Sequence, residues 1–259
     1  MKTEKIFWTI VVAFAVVLAF SPITILFLLS LNESPALPLK NFPTTKWYEA
    51  LFQFPGAVDS IINSFMVAGV TTVVAVILGI CGGYALVRTK FYGKNLFTGL
   101  LLLPMVVPYI IMGISLLSFL LRMGMQPSLV TIIIGHILLA IPYSTLVLTS
   151  RFIGFNISLE EAAMDLGADR LTTFRKITLP LIMPGIVTAA ILSFIISWED
   201  VAMAVLLAGS QQTAPVFMYT LITKLPKFVP ILTAMSAIMF AMAILLAVIM
   251  RKAERFSVS

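Results

Sequence analysis

Two adjacent carboxylates, Glu199 and Asp200, follow Trp198 inside a long run of apolar residues. An acid at the centre of a membrane helix costs about 2.5–3.5 kcal/mol on insertion scales, so such acids usually face a cavity or a partner. A carboxylate on a water-filled path attracts cations, and a neighbouring tryptophan can stack on an alkylammonium group. These three residues are therefore candidates for a substrate pathway. The alternative is a span that ends earlier, which places both acids in interfacial water and Trp198 in an interface belt.

A second polar feature is the segment EEAAMDLGADRLTTFRKITLP, residues 160–180, which interrupts an otherwise apolar chain. Just before and within it, Ser158-Leu159-Glu160-Glu161 fits a capping box, in which Ser158 caps a helix and Glu161 reaches back to it. Gly167 suits a left-handed C-cap. The apolar residues between these signals share one helix face at offsets 0, 3, 4 and 7. They are Leu159, Ala162, Ala163 and Leu166.

The rest of the segment predicts a second short helix. Asp169 is placed to cap it, Leu171 and Phe174 lie on one side, and Pro180 and Pro184 are expected to end it and open the next apolar span. Two interpretations of the pair of helices remain open on these grounds. It is either a hairpin that lies on the membrane surface or a docking site for another protein.

The sequence argues against chemistry in this chain. His136 is the only histidine and Cys81 the only cysteine, so no His/Cys metal site and no internal disulfide is expected. Cys81 is expected to be a small buried residue, and His136 to bond to a neighbouring helix. Gly93-Lys94-Asn95 lacks the upstream glycine and the hydroxyl of a phosphate-binding loop. We therefore predict no catalytic residue, no ATP hydrolysis and no cofactor in this chain.

Composition requires a membrane environment for these features. The chain has 259 residues, of which 60% are hydrophobic and 11% charged, whereas soluble domains are nearer 45–50% and 25%. Its net charge of +6 suggests basic loops beside a membrane rather than nucleic-acid binding. Apolar runs of this length predict helices rather than barrel strands. Six spans are predicted: Ile6–Leu31, Ile61–Val87, Leu96–Leu121, Leu129–Ser150, Pro184–Ala208 and Pro230–Met250.

The distribution of basic residues predicts the orientation of these spans. With a cytoplasmic N-terminus, 12 of the 17 Lys and Arg residues fall in cytoplasmic segments and 5 in outer ones. The positive-inside rule then places both termini and the polar segment 160–180 in the cytoplasm. No internal repeat is visible, and we predict one membrane domain over residues 1–259.

The polar segment also resembles a known family. Glu161-Ala162-Ala163, three residues, Gly167, nine residues, and then Ile177, Leu179 and Pro180 match the EAA loop of ABC importer permeases at every signature position. The resemblance implies an all-α membrane protein with six transmembrane helices, the type I importer fold, and a cytoplasmic coupling loop at about 152–183. It assigns ATPase coupling to the residues of the motif, which are Glu161, Ala162, Ala163, Gly167, Ile177, Leu179 and Pro180.

The same resemblance implies the location and the partners of the chain. It would lie in the bacterial cytoplasmic membrane beside a second homologous permease, with two ATPase subunits that bind ATP and Mg and a periplasmic or lipid-anchored solute-binding protein. Its other contacts would be with membrane lipid and not with nucleic acid. A secondary transporter is the competing class, but it would need coupling-ion sites and usually an internal repeat.

Within that family, several stretches look like permeases of the spermidine/putrescine type. They are Thr44-Thr45-Lys46-Trp47-Tyr48, Gly135-His136-Ile137 with Pro142, Ser150-Arg151-Phe152 and Ser197-Trp198-Glu199-Asp200. The stretch Lys227-Phe228-Val229-Pro230 departs from the pattern because it lacks an acidic residue that such permeases often carry. Inward transport of a polyamine is therefore the predicted function. The same importer class acting on ferric iron, thiamine, an aminoethylphosphonate-like compound or another small solute is the alternative.

Overall fold

The computed structural model describes residues 2–34, 37–224 and 229–258, and the regular structure in these ranges is helical. The chain forms two compact units, one of Met1–Val58 with Met218–Met242 and the other of Asp59–Phe217 with Ala243–Ser259. A single membrane domain over 1–259 stays a prediction.

The helices in chain order are α1 Lys2–Ser30, α2 Lys46–Gln53, α3 Ala57–Arg88, α4 Lys94–Leu102, a 3-10 turn Leu103–Met105, α5 Tyr109–Arg122, α6 Leu129–Ile153, α7 Ser158–Asp165, α8 Arg170–Thr173, a π turn Phe174–Thr178, α9 Leu179–Glu199, α10 Ala204–Leu207, α11 Ala214–Lys224 and α12 Val229–Val258.

In the first unit, the amphipathic helix α2 is tied to the end of α1. The hydroxyl groups of Ser30 and Tyr48 lie 2.8 Å apart, and Trp47 Nε1 donates to the carbonyl oxygen of Asn32 at 2.9 Å. These bonds fix how the chain leaves the first apolar span. Hydrogen bonds from aromatic side chains to backbone are typical of residues with one apolar side and one polar end.

In the second unit, small residues allow α3 and α6 to pack closely. A Cβ added at Gly79 would lie 2.7 Å from the Ser144 Cβ, and one at Gly83 would lie 3.0 Å from the Thr149 backbone nitrogen. Small residues at such crossings let backbones approach, as is usual for helices in membranes. Cys81 lies between these glycines but on an exposed face, so the expectation that it is buried was wrong.

Helices α6 and α9 form the core on which the polar segment rests. A hydrophobic cluster joins α3, α6 and α9 through Val76, Leu148, Phe152, Ile182 and Ala189. Deeper along the same contact, the buried hydroxyls of Ser144 and Ser193 lie 2.7 Å apart. The pairing satisfies both hydroxyls where water is excluded.

The third predicted span, Leu96–Leu121, is broken rather than continuous. Its two parts, Lys94–Met105 and Tyr109–Arg122, meet at an angle of 106°. The break carries Pro104 and Pro108, whose rings remove backbone donors and oppose helical conformation in the residue before them. These prolines therefore divide the span into two helices rather than bending one helix.

The fifth predicted span, Pro184–Ala208, has different bounds in the structure. The apolar helical run is Arg170–Glu199, which contains the second short helix of the polar segment, the π turn and α9. The prediction that Pro180 and Pro184 end the second short helix was therefore wrong. The wider π turn relieves the contact between a proline ring and the preceding turn, so the helix continues.

Helix α9 ends at Glu199 because Asp200 has extended backbone angles, φ −68° and ψ 128°. In the described part of the chain, five helices are long and apolar enough to cross a membrane, and the bent pair makes a sixth if it counts as one span. The predicted all-α architecture with six spans is confirmed.

Candidate functional site

The first helix of the polar segment starts differently from the prediction. Ile157 is the N-cap of α7 and makes no side-chain capping bond. Asn156 Oδ1 instead accepts hydrogen bonds from the Ser158 backbone nitrogen at 3.1 Å and from its hydroxyl at 2.7 Å. The capping box of Ser158 and Glu161 was wrong, because an asparagine two residues upstream takes the serine's donors in a local turn. Glu161 is left exposed.

The turn between the two short helices is the one predicted. Gly167 has φ +92°, its backbone nitrogen donates to the Met164 oxygen at 2.9 Å, and the Ala168 nitrogen donates to the Ala163 oxygen at 3.0 Å. This pair of bonds is a Schellman ending, which needs a left-handed residue at the position of Gly167. An added Cβ would meet no neighbouring atom within 4 Å. The demand for glycine therefore comes from backbone conformation alone.

Asp169 caps the second helix, as predicted. Its carboxylate accepts a hydrogen bond from the Thr172 backbone nitrogen at 3.3 Å. The hydrogen bond with the Thr172 side chain, helped by the backbone N–H groups of Thr172 and Leu171, holds the pKa of Asp169 below its usual value. The charged form therefore fixes the turn that follows Gly167.

The polar segment exposes apolar side chains although its helices are short. Leu166 is 90% exposed and Leu171 is 56% exposed, and Leu159, directly before the segment, is 46% exposed. Of the motif residues beyond the turn, Ile177 and Leu179 are half-buried, whereas Pro180 is exposed. Ala162 is exposed and Ala163 half-buried. Such a surface is typical of one that another molecule covers.

The contact that joins this segment to the second span was not predicted. Glu160 Oε1 lies 3.6 Å from Arg88 Nη2 and accepts a hydrogen bond from the Thr178 hydroxyl at 2.6 Å. The Arg88 guanidinium also lies over the Phe155 ring, with its Cζ 5.1 Å from the ring centroid. Glu160 therefore holds α7 to the end of α3 and to the π turn. No local sequence pattern could predict that Glu160 contacts an arginine 72 positions away. The recognised motif begins at the neighbouring Glu161 and does not include Glu160.

At the other end of the long helix, Asp200 is buried and bonded on several sides. It is 6% exposed, and its Oδ2 lies 3.2 Å from His136 Nε2. The same oxygen accepts from the backbone nitrogens of Met203 at 3.2 Å and Ala204 at 2.8 Å. His136 Nδ1 lies 2.7 Å from the Ser197 hydroxyl, which confirms that this histidine bonds to a neighbouring helix.

The three candidate pathway residues do not share one surface. Trp198 is 4% exposed and lies against Phe194, at 5.5 Å between ring centroids, and Phe65, at 4.7 Å. Its ring faces are occupied by aromatic neighbours rather than open to a cation. Glu199 alone is exposed. Of the three, Glu199 is therefore the residue that a solute could reach in this conformation.

Metal and substrate signals are sparse in the described ranges. Within them, no group of three or more His, Cys, Asp and Glu side chains could hold a metal ion. The departure from the polyamine-type pattern at Lys227 and Phe228 lies outside the described residues.

Comparisons with known proteins agree with the polar motif. Residues 72–255 match the family model described as "binding-protein-dependent transport system inner membrane component". The chain is 33% identical over 237 residues to the spermidine/putrescine transport system permease protein PotC of Haemophilus influenzae, covering 90% of this chain and 92% of that protein. It is 33% identical over 208 residues to the trehalose transport system permease protein SugB of Mycobacterium tuberculosis, covering 77% and 76%.

Solved structures show the same fold. A chain of a bacterial ABC transporter that imports the acidic polysaccharide alginate matches with a TM-score of 0.77 at 18% identity, over 97% of this chain and 96% of that one. A chain of the MetNI methionine ABC transporter in an inward-facing form matches with a TM-score of 0.66 at 18% identity, over 77% and 95%. Identity this low carries the architecture and nothing about the solute.

Proposed function

We propose that this chain, which belongs to the family of binding-protein-dependent transport system inner membrane components, carries a polyamine inward as the permease subunit of an ATP-driven importer. The observation that carries the choice of solute is the similarity to the spermidine/putrescine permease PotC over 90% of this chain. The exposed carboxylate of Glu199 agrees with a cationic solute.

The partners follow from what the chain lacks and what it exposes. No phosphate-binding loop occurs in the sequence, so ATP and Mg would be bound by separate subunits. The resemblance to ABC importer permeases implies two such ATPase subunits. The exposed leucines of the polar segment support docking of such a subunit on the segment. A second homologous permease and a solute-binding protein complete the assembly, in the bacterial cytoplasmic membrane.

The continuous helix supports a simple route for coupling. From Arg170 to Glu199 it has 30 residues, or roughly 45 Å at 1.5 Å per residue. Its first turns belong to the docking segment, and its last residue is the exposed acid. A displacement of the segment would therefore move Glu199 without crossing a loop. The contacts of Glu160 with Arg88 and Thr178 would carry the same displacement to α3.

The proposed orientation places both termini and residues 160–180 in the cytoplasm, supported by the 12 to 5 asymmetry of basic residues. Single cysteines at Asn41 and Asp169, in a Cys81→Ala background, would be exposed to an impermeant thiol reagent in intact cells. We expect labelling at Asn41 only. Labelling at Asp169 with none at Asn41 would reverse the orientation.

Uptake by cells that express the complete importer tests the choice of solute. We expect labelled spermidine or putrescine to accumulate in an ATP-dependent manner, and unlabelled polyamine to compete. Labelled trehalose is the informative second solute, because a trehalose permease is also 33% identical to this chain. Trehalose uptake without polyamine uptake would keep the importer class and overturn the polyamine.

A further inference from the structure

A cleft of about 360 Å³ opens between the end of α3 and the polar segment. One side is formed by Tyr84 and Arg88, and the other by Glu160, Met164 and Arg170. The cleft is thus shared between a membrane span and both short helices of the polar segment.

The guanidinium of Arg88 is short of acceptors in this cleft. Its side chain is 10% exposed, and its Nε and Nη2 have no hydrogen-bond partner among the residues that the structure describes. Glu160 is near, but at 3.6 Å from Nη2 it neutralises charge without a hydrogen bond. Buried N–H groups of a guanidinium rarely stay without acceptors, since each costs the free energy of its lost hydration.

The geometry and the charge of the cleft both favour an anion. Phe155 lies against one face of the Arg88 guanidinium, and Arg88 is one of the residues that line the cleft. Arg88 and Arg170 outweigh the single carboxylate of Glu160 by one positive charge. The hydroxyls of Thr89 and Thr173, also in the lining, already donate to the backbone oxygens of Ala85 and Asp169. The arginines are therefore the groups that would bind the ligand.

The position of the cleft identifies the source of that anion. Arg88 is the last residue of the apolar span Ala57–Arg88, and Tyr84 lies one turn earlier, as aromatic residues at membrane boundaries do. Ile157 and Met164 give the lining an apolar part beside its charges. We propose that this cleft binds the phosphate of an anionic phospholipid headgroup. Basic pockets beside transmembrane helices bind such headgroups elsewhere.

The test uses the complete purified importer in detergent, titrated with dioleoylphosphatidylglycerol and read by native mass spectrometry. We expect Arg170→Gln to weaken binding of this lipid roughly fivefold. Arg175→Gln is the matched control, because it removes the same charge from an exposed residue of the same helical run that does not line the cleft. We expect it to weaken binding by less than about twofold.

Two further variants separate an anion site from general attraction. Glu160→Gln removes the competing carboxylate, and we expect tighter binding, by roughly twofold or more. Arg88→Lys keeps the charge but loses the planar fork of donors, and we expect weaker binding. Since Arg170 is exposed, its variant tests the proposal even if substitution of the half-buried Arg88 impairs folding.

Three outcomes would overturn the proposal. Equal binding in Arg170→Gln and Arg175→Gln would leave only general attraction to the lipid. Displacement of the lipid by an excess of inorganic phosphate would make this a site for free phosphate. Binding to the isolated permease but not to the complete importer would show that a partner subunit covers the cleft.

Discussion

The polar segment, at the start of the long helix Arg170–Glu199, exposes apolar side chains. The break at the end of that helix, formed by Trp198 and Asp200, instead buries an aromatic and an acidic side chain. Leu166 is 90% exposed at the first, while Asp200 is 6% and Trp198 4% exposed at the second. The segment leaves apolar surface uncovered in this chain, whereas the residues of the break are covered by contacts within the chain. Substitutions at the break should therefore act on the isolated permease, and those on the exposed face of the segment only in the assembled importer.

The largest effect is expected at the break. Asp200→Ala leaves two backbone N–H groups and His136 without their acceptor, so we expect a loss of about 3 kcal/mol in the free energy of unfolding. Thermal unfolding of the isolated permease in detergent measures it. Glu199→Ala is the adjacent control and should change stability by less than about 0.5 kcal/mol, since Glu199 is exposed.

A double-mutant cycle sharpens this prediction. If His136 and Asp200 interact as their 3.2 Å separation indicates, His136→Ala should cost far less in the Asp200→Ala background than in the original chain. We expect a coupling energy of about 1–3 kcal/mol. Additive losses would show that the two residues stabilise the break separately.

The next effect is expected at the turn of the segment. Gly167→Val places a β-branched residue at φ +92°, where strain is about 1–3 kcal/mol. We expect uptake by the importer to fall roughly tenfold or more while the permease still inserts in the membrane. Gly154→Val is the control, because Gly154 has an ordinary φ of −77° and also lies near the segment. Normal uptake in Gly167→Val would mean that the turn is not part of coupling.

The segment carries two adjacent acids with different surroundings. We expect Glu160 to join the segment to its own chain and Glu161 to contact a partner subunit. Glu160→Gln removes the ion pair with Arg88 but keeps an acceptor for Thr178, so we expect the isolated permease to lose about 1–2 kcal/mol. Glu161→Gln should leave the isolated permease unchanged, because Glu161 is exposed, and should lower ATPase stimulation in the importer. The reverse pattern would exchange the two roles.

The outcome at these sites shows which features a sequence can predict. Gly167 and Asp169 act through the backbone of residues within a few positions of them, so their roles could be predicted from local spacing alone. The apolar spans follow from hydropathy, and the family from the spacing of the motif. The partners of Glu160 and Asp200 could not be predicted, because Arg88 and His136 lie 72 and 64 positions away and come close only when α3, α6 and α9 pack.

Local competition and helix continuity account for the errors. Asn156 satisfies Ser158 before a capping box can form. Pro180 and Pro184 predict the start of the fifth span and the apolar run predicts its continuation to Ala208, but both bounds are wrong. In the structure a π turn precedes Pro180, Pro184 lies inside α9, and Asp200 ends the helix within the apolar run. Hydropathy does not detect either event, since each depends on backbone hydrogen bonds.

The smallest effect is expected at Glu199, the exposed acid at the end of the long helix that a solute could reach. Both acids are candidates from the sequence, but the carboxylate of Asp200 is occupied by His136 and backbone donors, so it serves the fold. Glu199→Gln keeps the size of the exposed side chain and removes its charge, which at about 4 Å in water is worth about 1 kcal/mol. We therefore expect uptake of labelled spermidine, normalised to importer in the membrane, to fall roughly two- to fivefold at low solute concentration.

Raising the salt concentration should narrow the difference in uptake between the variant and the original chain, because screening weakens the attraction that the variant lacks. Unchanged uptake in Glu199→Gln at low salt would remove this acid from the path and leave the cationic solute resting on similarity to known permeases.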